Sequence, residues 1–221
     1  MLQNYSPRRV ILLTIASLLS SCSYLGDQAG EWCNTHAWVR TDLESYVYQH
    51  FKGGQQARVG VFPFMSQANI ADKSDGFRGL GTQIAWGVQR ELLATEVFPV
   101  VQMLAKEDWA GQKNEFFTGN FSSVAFARDA GLDFILIGYV DWPARLDKWN
   151  IHTKLIDVHT GATLWYGTST VSTSRSDMLE VSSTLGLTDR RPDQYDMHPI
   201  REAAAHCIVH DMVTLPEIDN G

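Results

Sequence analysis

The stretch that decides the fold is residues 122–165, SSVAFARDAGLDFILIGYVDWPARLDKWNIHTKLIDVHTGATLW. It begins with a predicted short helix that ends at Gly131, because glycine readily adopts the left-handed conformation that closes helices. The apolar run 133–140 follows at once and predicts a buried central strand. A predicted hairpin of strands 149–158 and 162–172 comes next. Helix, buried strand and hairpin are expected to pack as one unit.

The rest of the chain predicts further helices and strands in alternation. Helices are predicted at residues 41–51, at 77–95, and from 199 to just before Pro216. Strands are predicted at residues 58–64 and 100–104, followed by a helical turn at 106–110 and an aromatic-rich loop around Phe116 and Phe117. This order predicts an α/β fold, a single three-layer-like domain with a mixed β-sheet flanked by helices.

Three segments carry a resemblance to a known family. In residues 125–138, Ala130-Gly131 and Asp133 precede the apolar strand. Residues 155–165 read Leu-Ile-Asp-Val-His-Thr-Gly and close on Leu-Trp, and residues 58–64 form the upstream strand. Together the segments resemble the domain shared by the amino-terminal part of TolB and the envelope lipoproteins CsgG, LpoB and PelC. The resemblance implies that fold and a role as scaffold or pore, with no catalysis.

The amino terminus predicts a bacterial lipoprotein. Arg8 and Arg9 precede the apolar run 10–19, and Leu-Ser-Ser-Cys22 follows, which is the layout of an export signal ending in a lipobox. Cleavage before Cys22 would leave a thiol and an amine to carry acyl chains, and several chains give lasting membrane anchorage. Ser23 stands where, in enteric-type bacteria, an aspartate would signal retention in the inner membrane, so the resemblance favours the outer membrane. The alternative is an ordinary signal peptide with a coincidental cysteine.

The predicted organisation follows from that signal. It comprises a signal peptide at 1–21, a lipidated tether at 22–35, a periplasmic α/β domain at 36–216 with a long loop at 175–198, and a tail at 217–221. The long loop has no clear periodicity, and it is interpreted either as a partner-binding loop or as an ordinary mobile insertion.

Two cysteines remain besides Cys22. An oxidising periplasm permits a disulfide between Cys33 and Cys207, and pairing would tie the start of the domain to its end. Cys207 falls on the apolar stripe of the last predicted helix. The two thiols are therefore expected either to pair or to remain free and buried as small hydrophobic groups.

Composition and motifs support no enzyme class. A net charge of −7 on 221 residues argues against a nucleic-acid partner. The glycines at 76, 79 and 81 lack the spacing of a phosphate-binding loop, so a close backbone approach at a helix entry is preferred. His206 and His210 have a zinc-chelating spacing without an obvious third ligand, which favours a solvated helix face. No catalytic residue, metal or cofactor is expected.

A candidate interface lies where the predicted central strand 133–140 connects to the first hairpin strand, 149–158. Trp142, Arg145 and Trp149 can contact lipid headgroups or a neighbouring subunit if they are exposed, because amphipathic aromatics favour interfaces. Burial of either tryptophan ring in the core is the alternative. The resemblance to PelC, a ring-forming lipoprotein of exopolysaccharide export, favours the interface.

The function expected from these observations is that of an outer-membrane-anchored periplasmic lipoprotein. It would be a non-catalytic accessory or scaffold subunit of an envelope export or assembly system, for exopolysaccharide, curli-like or flagellar material. Its expected partners are the outer membrane, other envelope proteins and, by the resemblance, further copies in a ring. The alternative is an LpoB-like regulator that binds a cell-wall synthase, although a tether of about a dozen residues is short for reaching through the cell wall.

Overall fold

A computed structural model describes residues 33–52, 55–66, 79–104, 113–141, 148–172 and 198–214. The strands are β1 (Cys33–Arg40), β2 (Arg58–Val61), β3 (Met65–Ser66), β4 (Val100–Met103), β5 (Phe134–Val140), β6 (Lys148–Asp157) and β7 (Thr163–Ser172). The helices are α1 (Leu43–His50), α2 (Leu80–Ala94), α3 (Lys113–Thr118), α4 (Phe121–Asp129) and α5 (His198–Val213). Within this described part, no helix is both long enough and apolar enough to cross a membrane.

The seven strands form one mixed sheet. Its order is β1-β7-β6-β5-β2-β4, and the short β3 pairs with β5 outside this path. Strand β2 pairs in parallel with both β4 and β5, and β3 pairs in parallel with β5. The pairs β5–β6, β6–β7 and β7–β1 are antiparallel. All seven residues of β5 are buried, which confirms the prediction of a central strand. The sheet is therefore parallel at one edge and a meander at the other.

Helices cover the sheet on two faces, which confirms the predicted three-layer α/β fold. On one face, helices α1, α2 and α5 contribute to a large apolar cluster that includes Leu43, Ile84, Val88, Leu136, Trp165 and Ile208. On the other face, helices α3 and α4 contribute to a smaller cluster that includes Phe62, Phe116, Ala127, Leu132, Ile135 and Ile137. We call these the large core and the small core.

Helix α2 forms where the apolar period predicts it. An apolar stripe at the helical spacing is fully buried, and its residues are Leu80, Ile84, Val88 and Leu92. Burying an aliphatic side chain of this kind contributes about 1.5–3 kcal/mol relative to leaving it exposed. The stripe thus fixes α2 against the sheet as one wall of the large core.

The end of α4 also follows its sequence. Gly131 has a φ of +66°, a conformation that costs a side-chain-bearing residue energy and that glycine adopts freely. The turn lets the Leu132 amide donate to the Ala127 carbonyl at 3.0 Å, and it leads directly into β5. The helix and the central strand are joined as the opening stretch predicts.

Two expectations about the elements are wrong. The tether was expected to extend to residue 35, but the strand β1 already begins at Cys33. The inward side chains of β1 are small, and a large one, Trp38, points outward, so the apolar alternation of a strand is not visible in the sequence. Phe116 and Phe117 were assigned to a loop, yet they lie in the helix α3, where Phe116 is buried in the small core.

Several predicted features lie outside the described residues. They are the signal peptide, Cys22, the tether up to residue 32, Gly76, the helical turn at 106–110, Trp142, Arg145, almost all of the loop at 175–198, and the tail.

Candidate interaction surface

The antiparallel half of the sheet presents nine side chains on the face of the small core. Residues paired across antiparallel strands share a face, and the register defines two complete rows that cross β1, β7 and β6. These rows are Asn34–Thr170–Asn150 and His36–Thr168–His152. In a third row the register pairs Tyr166 with Lys154, and the ring of Trp38 joins it by packing against Tyr166. We call these nine residues the open face.

The open face is accessible, aromatic and cationic. None of its nine residues is buried, and Trp38 is 53% exposed. It contains one lysine and two histidines and no acidic residue. Beside it, Phe117 of α3 is 48% exposed. Such a mixture of aromatic rings and hydrogen-bonding groups is typical of protein interaction surfaces.

Lys154 joins the open face to the helix α3. Its Nζ atom donates to the Phe116 carbonyl oxygen at 2.5 Å and lies 4.7 Å and 4.9 Å from the ring centroids of Phe116 and Tyr166. Both rings stabilise the ammonium through their negative faces. Partial burial nevertheless lowers the pKa of Lys154 from its ordinary value, because the charged form loses water. The same burial raises the pKa of Tyr166.

His152 is held in one orientation by hydrogen bonds at both ring nitrogens. Its Nε2 atom lies 2.9 Å from Asp141 Oδ2, and its Nδ1 atom lies 2.7 Å from Thr168 Oγ1. A carboxylate only accepts hydrogen bonds, so Nε2 donates to Asp141 and Nδ1 of the neutral ring accepts from the Thr168 hydroxyl. The ring also contacts Tyr139 and Phe117, at centroid distances of 6.2 Å and 5.9 Å. This packing gives the centre of the open face a fixed polar group.

Trp38 extends the open face at the edge of the sheet. Its ring packs against Tyr166 with a centroid distance of 4.7 Å and against His36 with a distance of 5.0 Å. The register of β1 against β7 shifts between Ala37 and Val39, so Trp38 lies at a bulge. Bulges re-aim side chains. Sequence reasoning missed this residue because it did not recognise β1 as a strand.

The edge strand β1 is fastened to α5 at both of its ends. Cys33 and Cys207 form a disulfide, with Cα atoms 6.2 Å apart and a sequence separation of 174 residues. At the other end, Arg40 Nη2 donates to Asp211 Oδ1 at 2.5 Å, and Trp165 Nε1 donates to the second oxygen of Asp211 at 3.3 Å. These contacts hold the strand that carries Trp38 in place.

The candidate interface predicted from the sequence is wrong at one of its three residues. Trp149 is 3% exposed and packs in the large core, because it faces the opposite side of β6 from His152 and Lys154. Its ring is therefore not available to a partner. Trp142 and Arg145 lie outside the described residues and stay predictions.

The histidine pair and the glycine segment have structural explanations. His206 and His210 are exposed on α5 with ring centroids 5.6 Å apart, and His206 Nδ1 lies 3.8 Å from Glu91 Oε2. No group of three or more His, Cys, Asp or Glu side chains within the described ranges is arranged to hold a metal ion. Gly81 lies in close backbone contact with Phe64, as preferred from the sequence.

Two acidic residues, Asp133 and Asp157, accept hydrogen bonds at the far end of the sheet. Asp133 accepts from the Arg58 amide at 2.9 Å. Asp157 accepts from the amides of Thr160 and His159 and from the Tyr46 hydroxyl. Burial favours the neutral acid, but these hydrogen bonds outweigh it and lower the pKa of Asp157. Both acids serve the fold.

The chain is similar in fold to several solved bacterial proteins. No family model and no curated protein sequence matches the chain. A PelC dodecamer from Paraburkholderia phytofirmans is 13% identical, with a TM-score of 0.45, over 82% of this chain and 98% of that one. The LpoB C-terminal domain from Salmonella enterica is 15% identical, with a TM-score of 0.35, over 59% and 93% of the two chains.

A third similar structure is the lipoprotein GNA1162 from Neisseria meningitidis. It is 15% identical, with a TM-score of 0.38, over 60% of this chain and 97% of that one. PelC and LpoB are also two of the proteins that the sequence motifs resemble.

Proposed function

We propose that the chain is an outer-membrane-anchored periplasmic lipoprotein that serves as a non-catalytic accessory or scaffold subunit of an envelope export or assembly system. The observation that carries the proposal is the pairing of Cys33 with Cys207. Disulfides persist in the periplasm and are rare in the cytosol, so the pairing supports export. Of the three cysteines in the sequence, it leaves only Cys22, at the end of the lipobox, with a thiol to carry lipid.

The anchor limits where the domain can work. Eleven residue steps separate Cys22 from Cys33, which is the first residue of β1. A fully extended chain of that length spans about 40 Å, so the domain stays near the membrane surface. This reach counts against the alternative of an LpoB-like regulator that contacts a synthase across the cell wall.

We infer that the end of the sheet that contains Cys33 lies toward the membrane, because the tether joins the domain there. Cys33 pairs with Val171, and Val171 pairs with Trp149, so all three lie at the same end of the sheet. The segment with Trp142 and Arg145 departs from Asp141, whose amide donates to the Asn150 carbonyl at 2.9 Å near this end. We propose that Trp142 and Arg145 contact lipid headgroups or a neighbouring subunit there.

The open face is the proposed surface for other envelope proteins. It lies on the side of the sheet opposite α2 and α5, and its exposed aromatic and cationic groups suit a macromolecular partner. Further copies of the chain in a ring are one such partner. Sedimentation of the detergent-purified protein at high concentration tests this, and a monomer at every concentration would contradict the ring.

The lipid anchor is tested by the substitution Cys22→Ala. We expect the unchanged chain to incorporate radiolabelled palmitate and to fractionate with the outer membrane. The variant should lose the label and appear in the soluble periplasmic fraction, because anchorage depends on the acyl chains. The matched control is Ser23→Ala, which changes the residue next to Cys22 and should keep both properties. A Cys22→Ala variant that remained as firmly membrane-bound as the control would overturn the proposal.

A further inference from the structure

A groove between α2 and α5 lies on the opposite side of the molecule from the open face. It has a volume of about 410 Å³, within the range of ligand-binding clefts. Its floor lies where the two helices approach closely: a Cβ atom at Gly87 would lie 2.9 Å from the Cβ atom of Ala205. The absence of a side chain at Gly87 thus allows the two helices to approach closely at the groove.

The rim of the groove carries an exposed aromatic ring. Trp86 lines the groove and is 53% exposed, although tryptophan is highly buried on average. Exposed tryptophan is a frequent anchor of protein interfaces, because it supplies a large contact area at a low cost in conformational entropy. Trp86 is on the surface of α2, so it does not contribute to the large core.

The walls of the groove are positively charged on a protein whose net charge is −7. The lining contains two arginines, Arg90 and Arg201, and one acid, Glu202. Among the described residues, the Arg201 guanidinium donates a hydrogen bond only to the side-chain amide oxygen of Gln83, which carries no charge. The Arg90–Glu202 ion pair is 3.5 Å long, with side chains 65% and 53% exposed, so water competes with it strongly. Both guanidinium groups can therefore bind further carboxylates.

We propose that this groove binds an acidic peptide segment of a partner protein. Carboxylates of the segment pair with the planar guanidinium forks of Arg90 and Arg201, which suit bidentate recognition. An apolar side chain of the same segment packs on Trp86 above Gly87. Nucleic acid is disfavoured, because the described residues of the groove offer only two arginines and the net charge of −7 repels a long polyanion more strongly than a short acidic segment. The proposal is independent of lipidation at Cys22.

Binding of a defined peptide to the detergent-purified full chain tests the proposal. The probe is a fluorescein-labelled octapeptide of alternating glutamate and leucine, and the control peptide has glutamine for glutamate. We expect saturable anisotropy with the acidic peptide and weaker binding at high salt. Each of Arg90→Gln and Arg201→Gln should weaken binding about tenfold. Trp86→Ala should weaken it as well.

The matched control is Lys52→Gln, which removes one exposed positive charge away from the groove and should leave affinity unchanged. Thermal unfolding verifies that each variant is folded, and Arg201→Lys should bind with intermediate affinity because it keeps the charge and loses the fork. Equal binding of the two peptides, unchanged affinity in the double arginine variant, or the absence of saturable binding would overturn the proposal. So would equally tight binding of inorganic phosphate or of an oligonucleotide.

Discussion

Gly81 and Phe64 are in contact through their backbones. The Phe64 amide donates to the Gly81 carbonyl at 3.3 Å, and a Cβ atom at position 81 would lie 1.9 Å from the Phe64 carbonyl oxygen. Only glycine allows α2 to begin so close to the chain that leaves β2. The contact sets the position of α2 over the sheet and hence the position of the groove that α2 shares with α5.

Replacement of that glycine should be costly. We expect Gly81→Ala to lower the free energy of unfolding by about 3 kcal/mol, because backbone atoms must move to relieve the overlap. Chemical denaturation of the purified variant measures the loss. The control is Gly161→Ala, where a Cβ atom meets nothing within 4 Å and only the φ of +74° is unfavourable. That variant should lose about 1 kcal/mol, and equal losses would contradict the explanation.

The disulfide should contribute strongly to stability. It closes a loop across 174 positions of sequence, so it restricts the unfolded chain severely. We expect Cys33→Ala with Cys207→Ala to lower the free energy of unfolding by about 2–5 kcal/mol. Addition of a reductant should destabilise the unchanged protein by a similar amount and leave the double variant unaffected. A reductant effect on the double variant would show that another group is responsible.

Apolar periodicity was sufficient to predict the core elements but not the open face. The continuous apolar run of β5 and the periodic apolar stripe of α2 each predict the element that forms, because burial of aliphatic side chains is the main driving force of folding. The open face depends instead on which residues pair across β1, β7 and β6, and cross-strand register is not visible in a single strand. Trp149 is a different case: it shares one face of β6 with Ile151 and Leu155, so strand alternation alone predicts its burial in the large core.

The Tyr46–Asp157 hydrogen bond should make stability depend on pH at both extremes. Burial and the bond to Asp157 raise the pKa of Tyr46 to about 12. As the pH rises, Tyr46 therefore loses its proton in the unfolded chain before it does so in the folded one. Its contribution to the free energy of unfolding is fully present below pH 10 and is lost between pH 10 and 12. The pKa of Asp157 is lowered, so its contribution is present above its unfolded value of 3.8 and is lost as the pH falls through the folded value.

Removal of the Tyr46 hydroxyl tests this linkage. We expect Tyr46→Phe to lower the free energy of unfolding by about 1 kcal/mol at pH 7 and to flatten its decline between pH 10 and 12. Unfolding in denaturant at a series of pH values measures both effects. Tyr48→Phe is the matched control, since Tyr48 is 79% exposed on the same helix. A control that reproduced the flattening would assign the alkaline effect to tyrosines in general.

The open face should be the site at which partners contact the domain in the envelope. A photo-cross-linking amino acid at position 38 replaces a ring that is 53% exposed, and one at position 48 replaces a ring that is 79% exposed on α1. We expect irradiation of cells to yield discrete adducts from position 38 and few from position 48, although position 48 is the more accessible. Immunoblotting of the anchored protein detects the adducts, and mass spectrometry identifies them.

The polar centre of the open face gives a second, independent variant for the same experiment. His152→Phe keeps the ring in contact with Tyr139 and removes the hydrogen bonds to Asp141 and Thr168. A partner that covers the open face would then bury the Thr168 hydroxyl without its hydrogen bond to His152, which costs about 1–3 kcal/mol. We therefore expect the adducts from position 38 to decrease several-fold while the domain stays folded. Adducts that are equally abundant from positions 38 and 48, or that are insensitive to His152→Phe, would mean that accessibility alone produces them and that partners contact another surface.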